Sequence, residues 1–212
     1  MVDCGGNDPK QTATVAINAM GAQGISRLDG LILTHYDDDH CNGAAYLLEV
    51  IPTERLYLPD VDRGNETRQQ LERMDIPIKW VTGNTTLRLS AGKLKIFPGI
   101  SGQTDNESSL CILFQGQKCD ILITGDRSIS GEHMLLEQED IPQLELLVAG
   151  HHGAATSTGP ELLEKCSPAV VAISAGGDNF HGHPNSETLE RLREAGCIVR
   201  RTDIEGTIIF RG

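Results

Sequence analysis

The 212-residue sequence has no apolar run near the roughly 18 residues needed to span a bilayer, and no charged-then-apolar leader opens it. A soluble domain is the expectation, although a soluble piece of a larger membrane protein would look the same. Aromatic residues are scarce, at 4% with a single Trp. No cluster is therefore available to stack against the bases of a single strand. Basic residues are also few: 18 Lys and Arg stand against 30 Asp and Glu, a formal net charge of −12. Arg200 and Arg201 form the only adjacent basic pair. That balance excludes broad electrostatic attraction to nucleic acid or anionic lipid. No C-x-x-C pair occurs among the six cysteines, Cys4, Cys41, Cys111, Cys119, Cys166 and Cys197. Cys111, Cys119 and Cys197 lie in apolar strand-like runs, so buried reduced thiols are expected. The even count leaves disulfides open.

Hydrophobic residues make up 39%, a globular proportion, and 23 glycines imply many tight turns. Short apolar runs alternate with amphipathic stretches. Periodicity predicts strands at Leu31–Thr34, Arg55–Leu58, Ile78–Val81, Leu87–Leu89, Leu94–Phe97, Leu110–Phe114, Ile121–Thr124, Leu144–Val148, Val170–Ser174, Ile198–Arg200 and Thr207–Phe210. It predicts helices at Thr12–Met20, Ala44–Val50, Glu66–Met74, Ser130–Glu137, Pro160–Lys165 and Ser186–Ala195, the last stopped by Gly196. This is an α/β layered fold. From Trp80 to Ile123 strands follow one another without a helix, so part of the sheet structure should be antiparallel. No linker or repeat divides the chain, and residues 1–212 read as one domain. The opening Met1-Val2-Asp3-Cys4-Gly5-Gly6 looks like a strand end running into a glycine turn. One or more preceding strands are expected to be missing.

Chemistry concentrates at strand ends, where α/β folds carry their sites. The strand Leu31-Ile32-Leu33-Thr34 runs into His35-Tyr36-Asp37-Asp38-Asp39-His40, two histidines bracketing three acids. Imidazole nitrogen and carboxylate oxygen at one point are ligands for Zn, Mn or Fe. A solvated acidic turn would explain the acids but not the histidines. A second strand delivers Asp126 through Thr124-Gly125, and a third delivers His151-His152-Gly153. Convergence of the three ends would offer six ligands to two metals.

His35-x-Asp37-x-Asp39-His40 resembles the H-x-H-x-D-H loop of the metallo-β-lactamase superfamily. Asp3 matches that family's first motif, Asp126 its bridging aspartate and His151 its last histidine. The resemblance covers nearly the whole chain and implies an αββα sandwich. Two departures stand out. Asp37 occupies a usual histidine position, and no histidine lies between His40 and His133, where Asp105-Asn106-Glu107-Ser108-Ser109-Leu110 opens a strand instead. Both departures resemble the C-terminal domain of the ComEC/Rec2 competence proteins, which are membrane channels for DNA uptake. Asn179-Phe180-His181-Gly182-His183-Pro184, Arg201-Thr202-Asp203 and Gly206 add to that likeness.

The resemblance implies two divalent metal ions, Mn or Zn, with Mn suited to the oxygen-rich site. His35 and Asp37 would hold one metal with Asn106 nearby, Asp39, His40 and His151 the other, and Asp126 would bridge. Water acidified between the metals would attack phosphorus, oriented by Asp39, with His152 or His183 donating a proton to the leaving oxygen. The implied activity is nuclease or phosphodiesterase action on the strand that is not imported. DNA would be delivered by another domain, given the acidic surface, and the membrane channel of the same protein would be a partner. The implied location is the bacterial cell envelope, or the cytoplasm for a free domain. Two other readings stay open: a metallo-hydrolase of a small phosphodiester, lactone or amide, and a metal-binding domain without catalysis.

Overall fold

The computed structural model describes residues 1–100, 104, 106–177 and 181–210. Asp105, Asn179 and Phe180, named in the motifs above, lie outside the described residues.

Among the described residues, ten strands form two sheets. The smaller is parallel, in the order β1 (Leu31–Ile32), β2 (Leu56–Pro59), β3 (Ile78–Val81). A bridge from Val2 to Ile32 extends it on the β1 side. The larger sheet comprises β4 (Thr85–Leu89), β5 (Gly92–Phe97), β6 (Cys111–Gly116), β7 (Asp120–Ile123), β8 (Leu146–Val148), β9 (Val170–Ile173) and β10 (Ile198–Arg201), side by side in chain order. β4 to β7 pair antiparallel, as the helix-free middle of the chain predicts, and β7 to β10 pair parallel.

Alternation along each strand sorts the side chains into layers, because successive residues face opposite sides of a sheet. Leu31 and Leu33 face the helices α1 (Pro9–Ala22), α3 (Ala44–Val50) and α4 (Glu66–Glu72), whereas Ile32 between them faces the second sheet. On the larger sheet, Cys111 and Leu113 pack toward α5 (Ile129–Gln138), α6 (Pro160–Cys166) and α7 (Ser186–Glu194). Ile112 turns inward to meet Ile32 and Tyr57. The result is an α/β/β/α sandwich with an apolar layer at each of its three interfaces.

The helix ends are built as their sequences require. Asp8 accepts a hydrogen bond from the Gln11 amide at 2.7 Å ahead of Pro9 in α1, and Asn185 caps α7 through the Glu187 amide. Two single-turn helices have no apolar periodicity: α2 (Asp38–Cys41), inside the acidic loop, and α8 (Thr202–Glu205).

One expected strand is corrected. Thr207–Phe210 is apolar but forms no strand among the described residues, where the strands number ten rather than eleven. A strand needs a ladder as well as apolar residues. Gly206, at φ 70° and ψ −139°, turns the chain so that Thr207–Phe210 instead walls a groove of about 390 Å³ with Val170, Ile198 and Arg200. All six cysteines are free; Cys4, Cys41, Cys111 and Cys166 are buried, whereas Cys119 and Cys197 are partly exposed.

Candidate metal centre

The parallel strands β7, β8 and β9 end on one edge of the larger sheet, and β1 ends opposite them in the smaller one. Leu110 donates its amide to Thr34 O across the gap at 2.8 Å, and His151 donates its own to Gly125 O at 3.0 Å. These bonds join the strand ends into one polar cluster. Gly125 carries the Asp126 turn at φ 58°, and a Cβ there would come within 2.8 Å of Ser109 Cβ. The Asp126 amide donates to Ser109 Oγ at 3.2 Å, which fixes the carboxylate at the bottom of the cluster.

Three imidazoles are held at Nδ1 and present Nε2 to a common region. Asp3 Oδ2 lies 2.9 Å from His40 Nδ1, Ser174 O lies 2.8 Å from His152 Nδ1, and Thr34 Oγ1 lies 3.0 Å from His35 Nδ1. The Thr34 hydroxyl donates to Asp3 Oδ2 at 2.8 Å, which leaves its lone pair for the His35 Nδ1–H. Each Nδ1 thus carries the proton, and each Nε2 can offer a lone pair. Orientation of this kind by an outer partner characterises metal-binding histidines.

The Nε2 atoms meet carboxylates. His40 Nε2 stands 3.1 Å from both Asp126 Oδ1 and His152 Nε2, and His152 Nε2 stands 3.1 Å from Asp39 Oδ2. His35 Nε2 is 3.5 Å from Asp37 Oδ2 and 3.8 Å from Asp126 Oδ2, and it makes no hydrogen bond although fully buried. A buried imidazole nitrogen left unsatisfied beside two carboxylates is the arrangement a cation completes. The donors fall into two groups: His35, His40 and Asp126, and Asp39, His40 and His152.

Charge in the cluster is mutually adjusted. The His152 hydrogen bond holds the Asp39 carboxyl well below its ordinary range against the opposing effect of burial. Burial raises Asp126, but the His40 bond and the charges of His40, His35 and His151 more than reverse it, so its carboxyl is lowered overall. The facing His35 imidazole lowers Asp37 against the opposing effect of burial. For His40, burial favours the neutral ring, yet the bonds to Asp126 and Asp3 win and push it up to about 10. The carboxylates draw protons onto the imidazoles, and those are the protons a divalent cation displaces on binding.

The sequence reading gives a ligand place to His151 and a proton-donating role to His152; in the structure His152 Nε2 joins one of the two donor groups and His151 Nε2 stands beside Asp126. His152 is turned to Asp39 and His40 by its bond to Ser174 O, whereas His151 Nε2 lies 3.5 Å from Asp126 Oδ2, outside both groups. Both residues sit at positive φ, 49° and 54°, so the adjacent side chains diverge. Asp37 contacts His35 but joins neither group. Asn106 opens a 3₁₀ turn, half-buried, with its carbonyl bonded to the Ser109 amide. His183 borders the cluster, its ring 5.5 Å from that of His151 and stacked on His181 at 5.9 Å. Thr34 and Ser174 are supporting groups that the sequence does not mark. Their hydroxyl and carbonyl act through folding partners, and no local motif marks them.

The metallo-beta-lactamase superfamily model matches residues 1–176. The chain belongs to the metallo-beta-lactamase superfamily. Among curated relatives, ComE operon protein 3 of Bacillus subtilis (strain 168) is 30% identical over 203 residues, covering 93% of this chain and 26% of the relative. Recombination protein 2 of Haemophilus influenzae (strain ATCC 51907 / DSM 11121 / KW20 / Rd) is 29% identical over 181 residues, covering 85% and 22%. The chain thus spans about a quarter of the length of these ComEC-family competence proteins. Among solved structures, Tm1679, described as a metal-dependent hydrolase of the beta-lactamase superfamily, superposes with a TM-score of 0.58 at 14% identity. That match covers 94% of this chain and 84% of the other. A diphosphatase from the PhnP family gives 0.52 at 17% identity, covering 94% and 75%. Both share the fold. Members of this fold normally bind divalent metals, usually two, and the donor groups above are candidates for that role. Among the described residues no helix is long and apolar enough to cross a membrane.

Proposed function

We propose that this domain is a metal-dependent phosphodiesterase acting on DNA, the nuclease part of a ComEC-like uptake protein that degrades the strand left outside. The observation that carries the reading is the set of three Nδ1-anchored imidazoles, His35, His40 and His152, whose Nε2 atoms face Asp39 and Asp126. Asp39, His40 and His152 would hold one divalent ion, His35 and Asp37 the other, and Asp126 would serve both. With three histidines and three carboxylates the donor set suits Mn or Zn, and its oxygen share favours Mn. Two such ions supply an acidified water and neutralise charge on the phosphoryl oxygens.

The chain's own residues then orient and move protons. Asp39, whose side chain is half-exposed, would point the attacking water at phosphorus. Burial and the neighbouring histidines lower His183 from its ordinary value, and it would pass a proton to the departing oxygen. The similarity to competence proteins supports DNA as substrate, with delivery by a membrane channel elsewhere in a longer protein at the cell envelope. A second reading, hydrolysis of a small phosphodiester, is favoured by the net charge of −12, which repels a polyanion.

The test uses metal-stripped chain on linear DNA and on a chromogenic phosphodiester, with Mn and Zn added separately, beside Asp39→Ala. DNA cleavage that requires metal and disappears in the variant is the expected result. Turnover of the small ester alone would transfer the assignment to the second reading. Bound metal without turnover of either would leave a binding domain.

A further inference from the structure

Glu132, on α5, is 1% exposed and plays no part in the chemistry above. A buried carboxylate costs several kcal/mol of desolvation unless its oxygens are bonded, so its partners indicate why it is there. Oε1 accepts the Thr158 amide and Oε2 the Gly159 amide, each at 2.7 Å. The Thr158 hydroxyl in turn accepts the Gly150 amide at 2.9 Å, at the first residue of the turn that carries His151 and His152. From the other side Arg191 on α7 donates to the carbonyls of Ala155, Ser157 and Thr158. Thr158 itself is held at φ 56°, a conformation a β-branched residue adopts only when its surroundings impose it.

We infer that Glu132 is a positioning residue for the metal centre. From behind the sheet it clamps the Thr158–Gly159 backbone, and through Thr158 it fixes the turn that aims His152 at Asp39 and His40. The inference rests on the metal reading of that cluster. The clamp works through both ends of the segment. Gly150 is tied to Thr158, and Thr158 to α5, so the two left-handed residues between them cannot relax to ordinary backbone. Without it, the His152 ring would keep its Ser174 bond only by letting Nε2 swing from the donor set. The Ser174 carbonyl is the outer partner that the clamp keeps in register with His152, and loss of such a partner weakens metal binding by roughly 10–100-fold.

The experiment titrates Mn(II) into the full chain and follows the free-ion electron paramagnetic resonance signal. Wild type, Glu132→Gln, Thr158→Val and Leu136→Ala are compared, with unfolding midpoints measured on the same samples. Gln keeps the volume but turns one acceptor into a donor facing an amide N–H. Thr158→Val removes the oxygen that receives Gly150 and preserves shape, and it carries the test should Glu132→Gln not fold. Leu136→Ala, a buried truncation on the same helix, reports plain destabilisation. Expected are a loss of one Mn(II) site or at least tenfold weaker binding in the two polar variants, with Leu136→Ala binding like wild type. Polar variants that lose stability yet bind Mn(II) like wild type would overturn the positioning role while leaving the metal centre standing. A wild type that binds no Mn(II) would instead bring down the metal reading itself, and the clamp's role with it.

Discussion

Asp3 shows how one residue serves a site it does not enter. At φ 52° it sits where non-glycine residues are uncommon, and Asp and Asn are the tolerated exceptions. Its carboxylate accepts the Thr34 amide at 2.7 Å, the Thr34 hydroxyl at 2.8 Å and faces His40 Nδ1 at 2.9 Å. Asp3→Asn keeps the backbone preference and the shape but removes the charge that binds the imidazole. Metal affinity should therefore fall by roughly 10–100-fold while the unfolding midpoint moves little; calorimetric Mn(II) titration beside thermal melts separates the two. Glu132 is the second residue with a quantitative consequence. Burial pushes its carboxyl from 4.5 up to about 7, with Glu107 adding to the rise and the Thr158 and Gly159 amides and Arg191 opposing it. Below pH 4.5 the group is protonated folded or unfolded and costs nothing. Between there and pH 7 the unfolded chain loses its proton first, so folding stability declines by about 3 kcal/mol and then levels off. Subtracting the Glu132→Gln stability profile from that of wild type, by urea unfolding from pH 4 to 8, should isolate this fall; a difference flat in pH would refute it.

At the scale of elements, the acidic loop is shaped by its neighbours as much as by itself. The segment Asp3–Gly6 braces α2: the Cys4 amide bonds His40 O, the Gly43 amide bonds Cys4 O, and Asn42 bonds Gly6 in both directions. Gly5 passes so close that a Cβ would lie 2.4 Å from Asp39 C and His40 N, both backbone atoms that cannot yield separately. Gly5→Ala should displace α2 and with it Asp39 and His40. The expected outcome is loss of metal-dependent turnover together with destabilisation of about 1–3 kcal/mol from overpacking, read by activity and denaturant unfolding; wild-type turnover would show the loop to be more pliant than its contacts imply. The same region marks the limits of legibility in the sequence. Strands such as Val170–Ile173 are readable because a short β-rich apolar run coincides with burial at alternate residues. The strand-end placement of His35 and Asp126 is readable because apolar runs lead into them. The helix at Asp38–Cys41 is not, since a single turn contains no period to detect. Nor is the turning of His152 toward Asp39 and His40, because two adjacent identical residues differ only in the turn geometry and in a carbonyl supplied 22 positions later by Ser174. Thr207–Phe210 reads as a strand in sequence because β propensity says nothing about which edge is available to pair with.

For the molecule as a whole, charge bears on how the DNA of the proposed reaction would reach the site. Proteins that grip DNA through 6–10 phosphate contacts lose about 10³–10⁵ in affinity between 50 and 200 mM salt as counterions return. A chain with net charge −12 has no comparable footprint, and two bound divalent ions would return only about four positive charges. Its encounter with DNA is opposed by long-range repulsion, which salt weakens as the Debye length contracts from about 30 Å at 0.01 M to about 10 Å at 0.1 M. Turnover of DNA under subsaturating conditions at fixed Mn(II) should accordingly stay level or rise as monovalent salt increases over that range. Turnover of a small chromogenic diester, carrying a single charge, should rise less. A tenfold or greater fall on DNA would mean that a local basic path outweighs the net charge and that the domain captures DNA unaided. A level or rising profile would mean that the strand has to be brought to the metal centre by another part of a larger assembly. The domain's contribution would then be the chemistry, and the choice of strand would belong to whatever delivers it.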